Sequence, residues 1–522
     1  YLADDDTKLF LVNADLCIIN RELRERVLEL APREVPRDNI ILTATHNHSA
    51  QGAMCQNLLW RSITGRYMPE VLEQTAGAFA QTMHEALQNS TRAAIGYGTA
   101  SQDNLTANRR FPNGPRDSQI GVLRVEDSDG NAIVIAANIA AHPTTVDGDN
   151  LMSISADYPG YYYTALEALS NPGCVAMFFN GAEGDQRPGN PERKADGWAL
   201  TESIGRLLAT RVKQLANTIT CTEQPISLAR KDAVLPLTMA DSFLPTTTIL
   251  QTLEIGDLLM TFIPGEPCVD IGLELRRRAL ARGYAAQFTV GLANDHAMYF
   301  VPRELYGQHI YESGMNFYGP GVADWFYREF DELMTRGEPA AVPAPPKEAA
   351  LEERKSVLYM RIAGSPYEMG FQQGAALGET LRANYAREVV ARCESGEWVP
   401  DSGLWPLGAG FINKTPLALL RLGIGARPLL NGLSTETLSM LEGMADGAQL
   451  PFDALWLVQC LPTYAATATE ETGYPLEQMY LTPFCTMFAA VGDRAGAEDL
   501  LVGRNLDWPA AEAPLVVEVR PD

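Results

Sequence analysis

Histidine, basic charge and long apolar runs are all scarce in this sequence. There are 6 histidines in 522 residues, and 41 lysines and arginines stand against 65 aspartates and glutamates, which gives a net charge of −24. A surface this acidic, with no basic cluster to offset it, repels nucleic acid and anionic membranes. No apolar run is long enough to span a bilayer. We therefore expect neither a nucleic-acid partner nor a transmembrane segment.

The cysteines form no recognisable framework. The 8 cysteines are scattered, without a CxxC pair or the spacing of a small disulfide-rich domain. Most should be buried small hydrophobic residues, which fits a reducing, cytoplasmic compartment. Tyr1 and the residues after it do not look like a natural N-terminus, so this end leaves export open and the sequence is interpreted as a fragment.

What is present is ordinary globular composition, with 46% hydrophobic and 20% charged residues, and a length that predicts at least two domains. Strand and helix patterns alternate in the first 300 residues, which favours an α/β layer architecture with mixed sheets. The predicted strands are Lys8–Asp15, Asn39–Ala44, Ile120–Val125, Ala132–Ala140, Cys174–Phe179, a hairpin over Ile249–Phe262, and Phe288–Leu292, and the predicted helices are Arg21–Leu30 and Met68–Asn89.

Two histidines follow the buried strand that ends at Ala44. Residues two apart in an extended segment point to the same side, so His46 and His48 could face one site. Neutral imidazole is the commonest protein ligand for zinc. The alternative is that both side chains are merely solvated or hydrogen-bonded at the end of a strand.

The same pattern recurs at four more strand ends. Sites in open α/β sheets form in the crevice outside the strand ends. We therefore expect these groups to come from separate parts of a single sheet and to meet in one crevice. Together they offer the nitrogen and oxygen ligands of a metal site. The five strand ends present His46 and His48, His142, Asp185, Glu266, and His296 with Tyr299.

These motifs, in this order, resemble the N-terminal domain of the neutral/alkaline, non-lysosomal ceramidases, over roughly residues 7–335. The motifs are Thr45–Ser49, Ala141–Pro143, Gly184-Asp185, Pro264–Glu266 and Asn294–Tyr299. The resemblance implies one Zn²⁺ and hydrolysis of an amide, with a lipid or small N-acyl substrate. It implies His46, His142, Glu266 and Tyr299 as metal ligands, His48 beside them or near the substrate, and Arg109 near the site.

One position departs from that family. Ceramidases have Gly-Asp-Val-Ser-Pro in this loop and use its serine, whereas this chain has Arg187 in that place. Arginine binds carboxylates and anionic oxygens but is not a nucleophile. A metal-activated water therefore remains the expected nucleophile, and the alternative is a first domain that has lost catalysis and binds a ligand or partner. A purely structural protein is expected only if the strand-end groups lie apart.

Residues 336–355 are rich in proline and alanine and are interpreted as an interdomain linker. A second domain follows over 356–522. Its first part should be a mostly helical cap, with a helix capped by Ser365 and Glu368 and continuing to about Arg392, a helix over Ser434–Asp446 that stops at Gly447, and another from Phe452.

Two strands, predicted within Phe484–Ala490 and Leu501–Trp508, follow the cap and are joined by a polar turn, with Cys485 at the start of the first and Arg504 and Asp507 at the end of the second. A cysteine at a strand start is most often structural. The whole arrangement nevertheless resembles the N-terminal-nucleophile (Ntn) hydrolases of the isopenicillin-acyltransferase and acid-ceramidase kind. The resemblance implies a prodomain over 356–484 and the incomplete start of an αββα catalytic fold over 485–522. Cys485 would be freed by self-cleavage as the nucleophile, Asp507 would orient its amine, and Arg504 would stabilise the thiolate or bind substrate.

Overall fold

The computed structural model describes residues 1–57, 60–61, 64–146, 152–190, 197–338, 348–354, 357–395, 415–431, 433–460, 486–491, 500–505 and 515–521. The chain divides into two compact units, each treated by itself. The first comprises Tyr1–Leu235, Phe243–Pro302 and Ala323–Ala341, and the second comprises Pro236–Ser242, Arg303–Val322 and Val342–Asp522.

Two four-stranded mixed sheets form the centre of the first unit. One has the order β4-β6-β7-β8, with β4 at Ala94–Ser101, β6 at Gln119–Glu126, β7 at Ala132–Ile139 and β8 at Val175–Asn180. The other has the order β10-β11-β12-β14, with β10 at Ile226–Val234, β11 at Thr247–Ile255, β12 at Leu258–Phe262 and β14 at Ala286–Val290. In both sheets the last pair, β7 with β8 and β12 with β14, is parallel.

The two sheets pack face to face because each strand alternates its apolar side chains between two buried surfaces. Leu123 and Phe179 of one sheet share a buried cluster with Leu253, Met260 and Phe288 of the other. The opposite face of the first sheet packs against the helices α3 (Asp157–Ala168) and α4 (Trp198–Ala216). The far face of the second sheet contacts α5 (Val269–Ala281) through Gly272 and Thr289, so this part of the chain has four layers, α, β, β and α.

Smaller elements surround this centre. A three-stranded sheet has the order β1-β2-β3, with β1 at Leu2–Ala3, β2 at Lys8–Ala14 and β3 at Ile40–Ala44. Two short pairs join β5 (Thr106–Asn108) to β9 (Gln186–Pro188) and β13 (Glu266–Pro267) to β15 (Tyr299–Phe300). The remaining helices of this unit are α1 (Arg21–Leu30), α2 (Pro69–Gln88) and α8 (Val322–Leu333).

The predicted α/β class and the predicted elements of the first unit are confirmed, including the hairpin that turns at Gly256, where φ is +56°. The expectation that the polar strand ends belong to a single sheet is wrong. β3, β7 and β13 lie in three different sheets. Short strands near the site pair with one another rather than extend the large sheets, and sequence periodicity carries no information about that pairing.

The second unit contains two closely packed helices, α9 (Pro366–Tyr385) and α12 (Thr435–Ala448). Four glycines make this approach possible, because a Cβ at Gly370, Gly374, Gly443 or Gly447 would lie 1.9–2.2 Å from a carbonyl oxygen of the other helix. The predicted capping box of Ser365 and Glu368 is present. The stop at Gly447 is wrong by two residues, since the helix ends at Ala448 rather than Asp446 and Gln449 takes the left-handed cap. Gly447 is a packing residue instead.

The other helices of this unit are short or less regular. They are α6 (Arg303–Tyr306), α7 (Tyr311–Gly314), a π-helical turn at Ala386–Val390, α10 (Ala391–Glu394), α11 (Thr415–Ala426), a 3-10 turn at Arg427–Leu430, and a helix over 452–460.

A five-stranded sheet with the order β16-β17-β20-β19-β18 completes the second unit. Its strands are β16 (Ala350–Arg354), β17 (Val357–Gly364), β18 (Thr486–Val491), β19 (Leu500–Asn505) and β20 (Leu515–Pro521). The predicted strand pair β18–β19 is present and antiparallel. An Ntn-hydrolase architecture and the predicted domain boundaries remain predictions. Among the described helices, none has the length and apolarity needed to cross a membrane.

Candidate metal centre

His46 lies two residues beyond the end of β3. Its φ is +67°, so it occupies the left-handed region that costs a non-glycine residue about 1–3 kcal/mol. The expectation of an extended segment through His48 is therefore wrong, but the two rings still meet, with 3.1 Å between their Nε2 atoms. Such strain is typical of residues held in place for function.

A backbone carbonyl oxygen orients the ring of each of the two proposed histidine ligands. His46 Nδ1 lies 2.8 Å from the carbonyl oxygen of Cys17, and His142 Nδ1 lies 2.9 Å from that of Gln186. A carbonyl only accepts, so each Nδ1 carries a proton, and in the neutral ring each Nε2 presents a lone pair. A backbone carbonyl behind the ring is the usual outer partner of a metal-bound histidine.

Glu266 and Tyr299 reach the same point from β13 and β15, where they are direct partners in a parallel pair. Glu266 Oε2 lies 3.0 Å from His46 Nε2 and 3.1 Å from His142 Nε2. The Tyr299 hydroxyl lies 3.4 Å from His142 Nε2. The ligand atoms of His46, His142 and Glu266 all lie within 4.8 Å of one another, and all three residues are buried.

The donor set fits a divalent cation. Two imidazole lone pairs and a carboxylate oxygen converge, so a positive charge is needed among them, supplied by a proton or by a metal. Without a metal, Glu266 and Cys17 raise the pKa of His46 well above its usual value against the opposing effect of burial. Burial lowers the pKa of His142 to about 4. The pKa of Glu266 is held well below its usual value by His46, His142 and His296, although burial opposes this.

His48 and Arg109 border this group. Surrounding protein atoms, together with His46 and His142, lower the pKa of His48 to about 3, although the residue is exposed. Arg109 Nη1 lies 3.4 Å from His142 Nε2, and its guanidinium lies 5.5 Å from the centre of the Tyr299 ring. The two residues that the sequence places near the site therefore contact its predicted ligands.

Asp185 shapes the loop between β8 and β9. Its carboxylate accepts from Val269 N at 2.8 Å and from Asn108 Nδ2 at 2.9 Å, and it pairs with Arg110 at 3.1 Å. The acidic strand end thus supports the site and is not among the clustered ligand atoms. Arg187 is exposed on β9, opposite Ala107 of β5.

The sequence places His296 among the strand-end groups without giving it a role, and it gives no role to Cys17 or Glu183. His296 Nε2 lies 3.1 Å from Glu266 Oε1, and its strand-end position was the available signal for this role. Cys17 forms a second possible ligand group with His46 and His48. Glu183 is fully buried and neither carboxylate oxygen has a hydrogen-bond partner among the described residues; no pattern in the sequence marks it.

The second predicted site falls largely outside the described residues. Cys485 and Asp507 are not among them, and Arg504 is described only by its backbone in β19. The roles predicted for these three residues stay predictions.

Comparison with known proteins supports the resemblance in the first part of the chain. The family described as neutral/alkaline non-lysosomal ceramidase, N-terminal, matches residues 1–198. Neutral ceramidase B of Dictyostelium discoideum is 25% identical over 213 residues, which are 36% of this chain and 30% of that protein. The neutral ceramidase of Mycobacterium tuberculosis is 21% identical over 508 residues, covering 74% of this chain and 77% of its own length. The chain thus spans about a third of the first of these relatives.

Solved structures agree at the level of the fold. The crystal structure of neutral ceramidase from Pseudomonas aeruginosa superposes with a TM-score of 0.55 and 20% identity, covering 64% of this chain and 68% of that one. A structure described as ceramidase complexed with C2 has a TM-score of 0.54 and 18% identity. At these levels of identity the two structures show similarity of fold alone. The family match ends before Glu266 and Tyr299, so their roles rest on the geometry.

Proposed function

We propose that this chain is a zinc-dependent hydrolase of amide bonds in lipid-like or small N-acyl compounds. His46, His142, Glu266 and Tyr299 would hold the ion. The single observation that supports this most strongly is the convergence of two carbonyl-oriented imidazoles on one oxygen of Glu266, at 3.0 and 3.1 Å. The names of the relatives, all ceramidases, agree with an N-acyl substrate.

A zinc ion at such a site lowers the pKa of its bound water toward about 7 and polarises a carbonyl group. The protein's own residues supply position and charge. Cys17 and Gln186 fix the imidazole tautomers through their carbonyl oxygens. Arg109, in contact with both His142 and Tyr299, places a permanent positive charge where the acyl oxygen becomes negative.

Arg187 separates this chain from enzymes that use a serine at this position. Its guanidinium is exposed and cannot act as a nucleophile, so water attacks the amide carbon, and the amide nitrogen leaves as the amine. We assign Arg187 to donating a hydrogen bond to an oxygen of the bound substrate. Arg187→Ala should then raise KM while kcat changes little, whereas loss of a nucleophile would abolish kcat.

The test is hydrolysis of N-acyl sphingosines and of shorter N-acyl amines by wild-type protein and by three variants. His46→Ala should lose at least about a hundredfold in kcat/KM, because a ligand to the ion is gone. His84→Ala, on the exposed face of α2, is the matched control and should keep full activity. Activity that survives His46→Ala but disappears in Cys485→Ala would assign hydrolysis to the second part of the chain.

A second candidate activity is self-cleavage before Cys485. The observation in its favour is that Cys485 immediately precedes β18, the edge strand of an antiparallel hairpin. The freed α-amine, with a pKa near 8, would take the proton of the thiol. A denaturing gel should show the full-length chain split at this point, and Cys485→Ala should block the split. A chain that stays intact in the wild-type protein excludes this activity.

The binding-module alternative makes the opposite prediction for the first unit. If the replacement by Arg187 ended catalysis, purified protein would bind zinc without hydrolysing any N-acyl compound. If turnover is lost in His46→Ala and unchanged in Cys485→Ala, this alternative is rejected.

A further inference from the structure

A cavity of about 390 Å³ lies in the first unit beside α1 and the strands β10 and β11. Three arginines, Arg21, Arg24 and Arg230, line it together with Thr248 and Asp295. Three guanidinium groups around one cavity are unusual in a chain whose net charge is −24. None of them belongs to the metal centre, although Asp295 is the residue before His296.

Each arginine has a carboxylate partner, but the partners do not use all of the donors. Arg21 pairs with Asp295 at 2.8 Å, Arg24 with Glu25 at 2.8 Å, and Arg230 with Asp232 at 2.7 Å and with Asp38 at 3.2 Å. A guanidinium has five N–H donors, and one carboxylate takes at most two. Nε donors of Arg24 and Arg230 therefore remain for a ligand, although four carboxylates more than balance the three positive charges.

The buried groups in the cavity wall that lack a hydrogen-bond partner among the described residues can all donate a hydrogen bond. Arg24 Nε, Arg230 Nε and Thr248 Oγ1 are buried and have no hydrogen-bond partner among the described residues. Asp295, the least exposed of the acidic partners, has both carboxylate oxygens satisfied, since Oδ2 accepts from Arg21 at 2.8 Å and Oδ1 accepts from His296 N at 2.9 Å. A wall with surplus donors and satisfied acceptors requires a ligand that is rich in acceptor oxygens.

The guanidiniums also influence one another. Burial lowers the pKa of Arg24, and the nearby charge of Arg230 lowers it further, against the opposing effect of Glu25. A bound anion would relieve the repulsion between these two cations, as arginine pairs do when they bind carboxylate or phosphate.

We propose that this cavity binds a small oxyanion, a phosphate or phosphate monoester, through Arg24, Arg230 and Thr248. The chemistry is shared by free phosphate and by the head group of a phospholipid. Binding here is independent of amide hydrolysis, because no metal ligand takes part.

Titration calorimetry with inorganic phosphate and with glycerol 3-phosphate, at constant ionic strength, tests the proposal. The protein is first dialysed against a chelator so that no metal competes for phosphate. One site per chain is expected, and the melting temperature should rise with the logarithm of phosphate concentration. Tighter binding of glycerol 3-phosphate would assign the site to head groups, and equal or weaker binding would assign it to free phosphate.

Variants locate the site. Arg230→Gln should weaken phosphate binding about tenfold or more, since a hydrogen bond to a charged group is lost. Thr248→Val should weaken it about threefold to tenfold while leaving the fold intact, because its hydroxyl has no hydrogen-bond partner among the described residues. Arg211→Gln, an exposed arginine on α4, is the control and should bind as wild type.

Three results would overturn the proposal. They are the absence of measurable binding, equal weakening by Arg211→Gln, and binding that ignores Arg230→Gln and Thr248→Val but is lost in His142→Ala. The last result would place phosphate at the metal centre.

Discussion

His46 Nε2 lies 3.0 Å from Glu266 Oε2, and both side chains are buried. His46 Nδ1 donates its proton to the carbonyl oxygen of Cys17. The contact between His46 Nε2 and Glu266 is therefore a hydrogen bond only if His46 is doubly protonated. A metal ion between the two atoms removes the need for that extra proton. Four predictions follow from this and three other arrangements.

Zinc binding should release protons. In the metal-free protein, His46 keeps a proton on Nε2 at pH 7 because Glu266 and Cys17 raise its pKa above the usual value. The metal replaces that proton, so titration calorimetry in two buffers with different ionisation enthalpies should show release of about one proton per zinc. His84→Ala should behave as wild type. Zinc binding without release would show that the ion uses other ligands.

Asp185→Asn should destabilise the first unit. Asp185 is 1% exposed and connects the loop after β8 to Val269 N, Asn108 and Arg110. Removal of its charge weakens the ion pair with Arg110 and the hydrogen bonds from Val269 N and Asn108, which costs about 2–4 kcal/mol in the free energy of unfolding. Urea unfolding measures the loss. Asp129→Asn, in the exposed turn between β6 and β7, should cost almost nothing.

Glu183→Gln should stabilise the protein, and more at pH 8 than at pH 5. Burial raises the pKa of Glu183 well above its usual value. The folded state therefore holds a proton that the unfolded state releases above about pH 4.5, so the stability of the wild type falls as pH rises through that window. Glutamine cannot ionise and removes the dependence.

Urea unfolding of Glu183→Gln at both pH values, with exposed Glu34→Gln as the control, measures the difference. If Glu183→Gln is less stable than wild type at pH 8, Glu183 is ionised in the folded protein and has a partner that protein atoms do not provide.

Arg427 and Asp453 should show strong coupling in the second unit. Arg427 Nη2 lies 2.6 Å from Asp453 Oδ2, both residues are buried, and the Tyr306 hydroxyl donates to Asp453 Oδ1 at 2.8 Å. Either single variant, Arg427→Met or Asp453→Leu, leaves a buried unpaired charge and should cost about 3–5 kcal/mol.

The double variant should cost clearly less than the sum of the two single changes, as a double-mutant cycle by urea unfolding would measure. Additive losses would mean that the pair contributes through packing alone. The exposed pair Arg206 and Glu202 on α4 is the comparison, and should give less than about 1 kcal/mol of coupling.

The strand-end pattern predicted much of the candidate site because hydrophobic alternation marks where strands stop. His46, His142 and Glu266 were found in that way, and their ligand atoms come together. The pattern could not show the left-handed turn at His46, since backbone φ depends on what the surrounding chain holds in place. Nor could it show that His296 contacts Glu266, because that contact joins residues 30 positions apart.

By itself, the sequence determined the α/β class, the positions of most strands and helices, and the residue types available for metal chemistry, because these depend on local periodicity and on side-chain identity. Only the tertiary structure decided that the donors come from three sheets, that Asp185 supports the loop from behind, and that Glu183 and the three arginines are buried where they are. Those outcomes depend on packing between segments far apart in the chain, where burial and distance, rather than composition, set the energy of each group.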